Sequence, residues 1–263
     1  TLTHMVGSGI SIAEAILVQD KQDTEVDSIQ EDWANGDIVA SYVRQAGFDQ
    51  ETLSLNITDE LGRIQINALI AFPDGREFQA LQKNLWQRFL ELLLSQQEDS
   101  NTFLSEPMEP SMIINPVKDW LDSGDNDAIT GLNGAENDYY ADMDPPYGCR
   151  NGPIKHIDEL LRIRNITPDL FFSVDKNIGV QNYITVHGMT QARGNRHRFT
   201  YEGKININTA DIPVLAALLP VGYEFLAPEI AAYREEKAND EFIHDLSGPT
   251  WYKEIPEIGR AHV

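Results

Sequence analysis

Eight acidic side chains lie between Asp119 and Asp144, and no Lys or Arg interrupts them. They are Asp119, Asp122, Asp125, Asp127, Glu136, Asp138, Asp142 and Asp144. Gly124, Gly131 and Gly134 supply turn points, and Asn126, Asn133 and Asn137 add amide oxygens. A solvated acidic loop is the plainest account of such a run. Two features oppose it. Trp120, Leu121, Ile129, Leu132, Tyr139, Tyr140 and Tyr147 lie in or beside the run, and a disordered tail would lack them. The run is also about twice the roughly 12–15 residues beyond which structureless loops become uncommon in a compact domain. A packed loop with this much like charge needs an offsetting cation, because two carboxylates about 4 Å apart repel by ~4 kcal/mol at an effective dielectric of 20. Calcium fits the donors: it takes oxygens from carboxylates, amides and backbone, and needs no imidazole or thiolate. The match to an EF-hand loop is partial. Asp125, Asp127 and Glu136 fall at its first, third and twelfth positions, but Ile129 takes the fifth and Thr130 replaces the glycine at the sixth. A true EF-hand is therefore rejected, while Asp125, Asp127 and Glu136 remain oxygen donors.

Other constellations fail. The histidines His4, His156, His187, His197, His244 and His262 form no HExxH and no pair at helical spacing. GxSxG, P-loop and strand-linked GxGxxG motifs are absent from the sequence. Asp158 and Glu159 are adjacent, so on a helix they point apart and make no ready acid/base pair. Catalysis has no positive support, and a carboxylate hydrolase working through the acidic run stays only as a rival. The stretches Ile205–Ala210, Leu215–Pro220 and Ala227–Arg234 have the outline of a helix-hairpin-helix, or SAM-like, unit. Its hairpin, Pro220-Val-Gly-Tyr-Glu-Phe225, carries an acid and no base. With 20 Lys and Arg against 42 Asp and Glu, the net charge is −22, so packing and not phosphate binding explains the unit.

The elements that must position these residues follow from length and periodicity. A chain of 263 residues, 41% of them hydrophobic, can bury a sizeable core. The single cysteine, Cys149, allows no intrachain disulfide. No apolar run approaches the roughly 18 or more residues of a membrane span, and Thr3-His4-Met5 with Gly7-Ser8-Gly9 reads as a tag remnant to set aside. Apolar spacing predicts helices over 10–20, 79–97, 111–121 (with Pro116 in the first turn) and 156–164, and from Asp211 and Pro228 onward. A strand is read over 38–43. Period-two alternation over 53–58 and 63–67, joined at Asp59-Glu60-Leu61-Gly62, predicts a hairpin. Strands are also expected over 180–187 and 199–207. Arg63-Ile-Gln-Ile-Asn-Ala68 is echoed by Lys204-Ile-Asn-Ile-Asn-Thr-Ala210.

Several pieces occur in a familiar order: Asp59-Glu-Leu-Gly-Arg-Ile-Gln-Ile-Asn-Ala-Leu69, Asp119-Trp-Leu-Asp122, and Gly134-Ala-Glu-Asn-Asp-Tyr-Tyr140. Then come Pro145-Pro-Tyr147 with Asn151, Asp158-Glu-Leu-Leu161, and Gly203-Lys-Ile-Asn-Ile-Asn-Thr-Ala210. Over residues 54–237 the chain resembles the type II secretion system minor pseudopilin K component, the general secretion pathway protein K family. The resemblance implies a structural protein and not an enzyme. It implies an α+β fold: a pilin-like N-terminal helix plus antiparallel sheet, with a large α-helical insert containing SAM-like units. The implied domains are a helix arm and linker (1–37), a pilin-like sheet (38–69 and 179–207), a helical insert with the acidic loop (70–178), and a second SAM-like unit with tail (208–263). It implies one or two Ca²⁺ ions on Asp119, Asp122, Asp125, Asp127, Glu136 and Asp138. It implies a heterotrimeric tip complex with minor pseudopilins I and J, no nucleic acid, and a place at the periplasmic face of the inner membrane through an N-terminal helix preceding this sequence. The apolar face of helix 10–20 is expected to be a partner surface. An extracellular calcium-dependent binding module and a helix-hairpin-helix nucleic-acid protein are the alternatives.

Overall fold

The computed structural model describes residues 2–49, 51–72, 75–95, 108–123, 129–172, 179–191 and 199–261. Its helices are α1 (Leu2–Asp23), α2 (Gly36–Gln45), α3 (Ala80–Ser95), α4 (Ser111–Leu121), α5 (Asn137–Ala141), α6 (Pro168–Phe171), α7 (Ile212–Leu218), α8 (Ala227–Glu235) and α9 (Pro256–Ala261). The strands are short: β1 (Ile64–Gln65), β2 (Ile184–Thr185), β3 (Met189–Gln191), β4 (Phe199–Tyr201), β5 (Lys237–Ala238) and β6 (Glu241–Phe242). The fold is thus mixed helix with a little sheet. It divides into two compact units, one of residues 1–59, 206–209 and 225–263, the other of 60–205 and 210–224.

In the first unit α1 is twice the expected helix. Residues 2–9 continue it without a break, so the fold includes the residues that the sequence reading set aside. Nothing in them forbids a helix, and Gly9 is buried, where an added Cβ would lie 3.3 Å from Leu53. At 22 residues, with mean hydropathy 1.2 over its most apolar window, α1 is long and apolar enough to cross a membrane by length and composition, and only 11% of that window is buried. The expectation that no apolar run approaches a membrane span is thereby corrected. Ile16 is the exception that packs, with Trp33 and Val39 and the flanking Ile12, Tyr42, Leu55 and Ile57. Residues 38–43 are helix, not strand. Asn35 caps α2 by accepting from the backbone of Asp37 (3.0 Å) and Ile38 (3.3 Å), and Val39, Ala40 and Val43 form its buried face. That spacing and the cap outweigh the local β preference of Ile38, Val39 and Val43. The hairpin β5–β6 was not foreseen. It turns on Asn239 (φ 52°) and Asp240 (φ 67°), the paired positive φ of a type I′ turn.

In the second unit the predicted helices α3, α4 and α7 are all present. Phe89 and Leu90 of α3 are fully buried, and α3 packs most extensively on α7 and then α4. Burying such a side chain is worth roughly 1.5–3 kcal/mol. Pro116 sits in the middle of α4, not in its first turn. The carbonyl of Met112, which a residue with an N–H at 116 would have bonded, instead accepts from Asn165 Nδ2 at 2.8 Å. Residues 157–162 form a 3₁₀ turn in place of the predicted helix.

The expected antiparallel hairpin is absent. Residues 53–58 form no strand, and β1 runs parallel to β2, with the Ile64 N–H donating to Tyr183 O at 2.8 Å. β3 and β4 form a separate antiparallel pair, and residues 202–207 leave the sheet. The described strands therefore make two-stranded ladders and no broad antiparallel sheet.

The sequence echo is a structural one. Gln65 Oε1 accepts from the Asn67 backbone N–H (2.8 Å), as Asn206 Oδ1 does from Asn208 (3.1 Å). Each turn aims a buried asparagine at distant chain. In the second unit Asn67 clamps Ile154, donating to its carbonyl (3.0 Å) and accepting from its N–H (2.7 Å). In the first, Asn208 accepts from the Trp251 indole at 2.7 Å.

Candidate metal centre

α4 ends where the acidic run begins. Its last turn carries Asp119, fully buried, and its C-cap is Asp122. The chain then returns through 129–136, and Glu136 stands at the N-terminal boundary of α5. One carboxylate oxygen each from Asp119, Asp122 and Glu136 lies within 4.8 Å of the other two. All three residues are at most 4% exposed. Asp125 and Asp127 lie outside the described residues. Asp138 is exposed in the first turn of α5 and does not join the cluster.

Backbone donors hold Asp119 in place. Its carboxylate accepts from Ala135 N–H at 2.8 Å and Thr130 N–H at 3.1 Å. Gly134 lets the loop close over it, with Gly134 N–H donating to Thr130 O at 3.0 Å and Arg164 donating to Gly134 O at 3.1 Å. Beneath, Tyr140 is fully buried and packs edge-on to Trp120 (5.0 Å) and tilted on Tyr147 (5.3 Å). Cys149 caps this wall, its thiol donating to Asp119 O at 3.4 Å and its N–H to Asn137 Oδ1 at 2.7 Å. Burial pushes the Cys149 thiol up to about 12, so it stays a neutral packing group.

The electrostatics of the cluster bear on whether a cation fits it. Burial raises the Asp119 carboxyl above the ordinary carboxylate range, against the lowering pull of its Thr130 and Ala135 hydrogen bonds and of Lys118. Lys118 Nζ pairs with Asp122 Oδ2 at 2.6 Å, which offsets one of three buried acids. The remaining charge and the all-oxygen donor set fit a hard cation of the calcium type.

A second triad was not anticipated from the sequence, where 20–37 read only as an acidic loop. Asp20, Asp27 and Glu31, in the first unit, also have carboxylate oxygens within 4.8 Å of one another. Glu31 is held by the Ser28 N–H and the Trp33 indole, each at 2.8 Å. Burial, then the charges of Glu31 and Asp27, push Asp20 up to about 6. A raised folded-state pKa gives stability that is full below the ordinary Asp value and lost as pH rises through about 6. Asp20→Asn is therefore expected to raise the thermal midpoint at pH 7 and leave it unchanged at pH 4, as paired melts would show. The spacing of seven and four residues gave a weak sign of this triad, since it depends on α1 ending at Asp23 and the chain doubling back.

Residues 62–180 match the family described as Type II secretion system (T2SS), protein K. A protein of Aeromonas hydrophila named Type II secretion system protein K is 27% identical over 167 residues, which is 62% of this chain and 46% of that protein. The chain thus spans about half the length of that relative. A chain in the crystal structure of the GspK-GspI-GspJ complex from the enterotoxigenic Escherichia coli Type 2 Secretion System superposes with a TM-score of 0.58. The match covers 99% of this chain and 79% of that one at 15% identity, a likeness of fold.

Proposed function

We propose that this chain is a minor pseudopilin, a structural subunit and not an enzyme, because residues 62–180 match the family described as Type II secretion system (T2SS), protein K. That family match is the observation that carries the reading. In this reading the chain assembles with minor pseudopilins I and J at the tip of the pseudopilus, on the periplasmic face of the inner membrane. Its helical bulk, counted as SAM-like units, ends the fibre or primes its assembly. α1 supports the assembly role. Leu2, Val6, Ile10 and Leu17 recur along it at helical spacing and are all exposed, an apolar stripe suited to packing on neighbouring helices or lipid. Asp119, Asp122 and Glu136 would hold Ca²⁺, which supplies the positive charge that lets the 129–150 loop pack against α4; Asp125 and Asp127 are the natural source of further oxygens.

Co-expression with the I and J subunits of the same system tests the assembly. Wild type is expected to co-purify with both as a ternary complex, and Val6→Glu with Ile10→Glu to lose them while the body stays folded. Elution of wild type alone would remove the reading.

A further inference from the structure

We propose that a basic groove on the second unit, lined by Trp120, Gly148, Arg150, Pro153, Lys155 and Arg162, binds an acidic polypeptide segment through its carboxylates. The groove has a volume of about 540 Å³ and also takes in Gly152 and Glu159. It thus gathers three cations and one acid in a chain whose net charge is −22. With twice as many acids as bases, a surface cation has many potential partners. Yet among the described residues neither Lys155 nor Arg162 makes an ion pair. Arg162 instead lays its guanidinium over the Tyr147 ring at 5.0 Å.

Arg150 shows what the groove accepts. Its Nη1 donates to Glu159 Oε2 at 2.7 Å and its Nε to Pro153 O at 2.5 Å, so the guanidinium is already fixed. Glu159 is itself saturated, since its Oε1 accepts from the backbone of Lys155 (3.0 Å) and His156 (3.2 Å). That leaves Arg150 Nη2 with no partner among the described residues and ready for a second carboxylate. Size and wall chemistry select the ligand. Such a volume is in the range of pockets for ligands of roughly 300–1,000 Å³ and far exceeds a lone inorganic oxyanion. Trp120 and Pro153 add apolar lining, which suits a peptide with spaced acids. The acidity of the rest of the chain is screened beyond about 8–10 Å at moderate salt, so local attraction governs the bound state. The proposal does not rest on the pseudopilin reading.

A capped hexaglutamate peptide, titrated into ¹⁵N-labelled protein, provides the test. Saturable shifts are expected at the amides of Gly148, Gly152 and Lys155, with affinity falling at least about tenfold in Lys155→Glu with Arg162→Glu. Both side chains are exposed, and Lys155→Gln alone serves if the double variant misfolds. Any of four results would overturn the proposal: no saturation by about 1 mM peptide, shifts centred elsewhere, equal affinity in the variants, or inorganic phosphate binding the same amides as tightly as the peptide.

Discussion

Gly134→Ala is expected to unfold the acidic loop and to lower global stability by about 3 kcal/mol or more. An added Cβ at this position would lie 2.2 Å from Asp119 Oδ2, 2.5 Å from Thr130 N and 2.8 Å from Thr130 O. Two of those atoms are backbone, so no rotamer change relieves the overlap. The third is the carboxylate that the loop exists to hold. Moving Thr130 away also breaks its 3.1 Å hydrogen bond to buried Asp119, leaving a charge without one of its donors. For a chain of this size the loss corresponds to a thermal midpoint lower by about 6–12 °C. Thermal melts of both proteins would measure it, and a midpoint within about 2 °C of wild type would show that the loop closes otherwise. Gly131→Ala makes a useful contrast: its φ is +60°, but the nearest atom to an added Cβ is Asn115 Nδ2, at 2.9 Å, the end of a side chain that can turn away. Its cost should be the backbone strain of about 1 kcal/mol.

Calcium withdrawal carries the second large effect. With free Ca²⁺ at a hundred times its dissociation constant, binding to the native state adds ~2.7 kcal/mol, so chelation should lower the midpoint by about 5–10 °C. Glu136→Gln should abolish most of that response, because it removes one of the three convergent carboxylates while keeping their volume. The pH dependence has a definite sign. Asp119 is raised by burial, so its contribution without metal is full below the ordinary carboxylate range and lost as pH rises through its folded-state pKa. The metal-free protein should therefore weaken as the pH climbs out of that range, and the Ca²⁺ response should grow over the same interval. Identical melts with Ca²⁺ and with chelator at pH 7 would end the metal reading.

These expectations also mark how far the residues alone could be read. α3, α4, α7 and α8 were legible because their apolar groups repeat at helical spacing, with Pro in the first turn of α7 and α8, a signal local to each segment. The composition of 119–144 pointed to a cation for an equally local reason: like charges that pack must be offset. Residues 38–43 were misread because Ile38, Val39 and Val43 favour strand by type, and the deciding cap at Asn35 lies outside the window. Period two over 63–67 marked a strand that the fold keeps only at Ile64 and Gln65, since residues 66–69 tighten into a 3₁₀ turn. Its partner was not legible: Ile64 pairs with Ile184, 120 positions away and parallel, where the hairpin logic looked only to the adjacent segment.

The same division holds at the sites. Local chemistry marks the acidic run, but convergence of Asp119, Asp122 and Glu136 requires the chain to leave α4, turn at Gly131 and Gly134, and come back under Arg164. Arg150, Lys155 and Arg162 have no periodicity that a strand or helix would show, and only the fold about Glu159 and Tyr147 gathers them. Periodicity and charge are properties of neighbours along the chain and can be read there. Pairing partners, burial and convergent side chains are properties of neighbours in space, and the free energy that selects them is summed over the whole packed molecule.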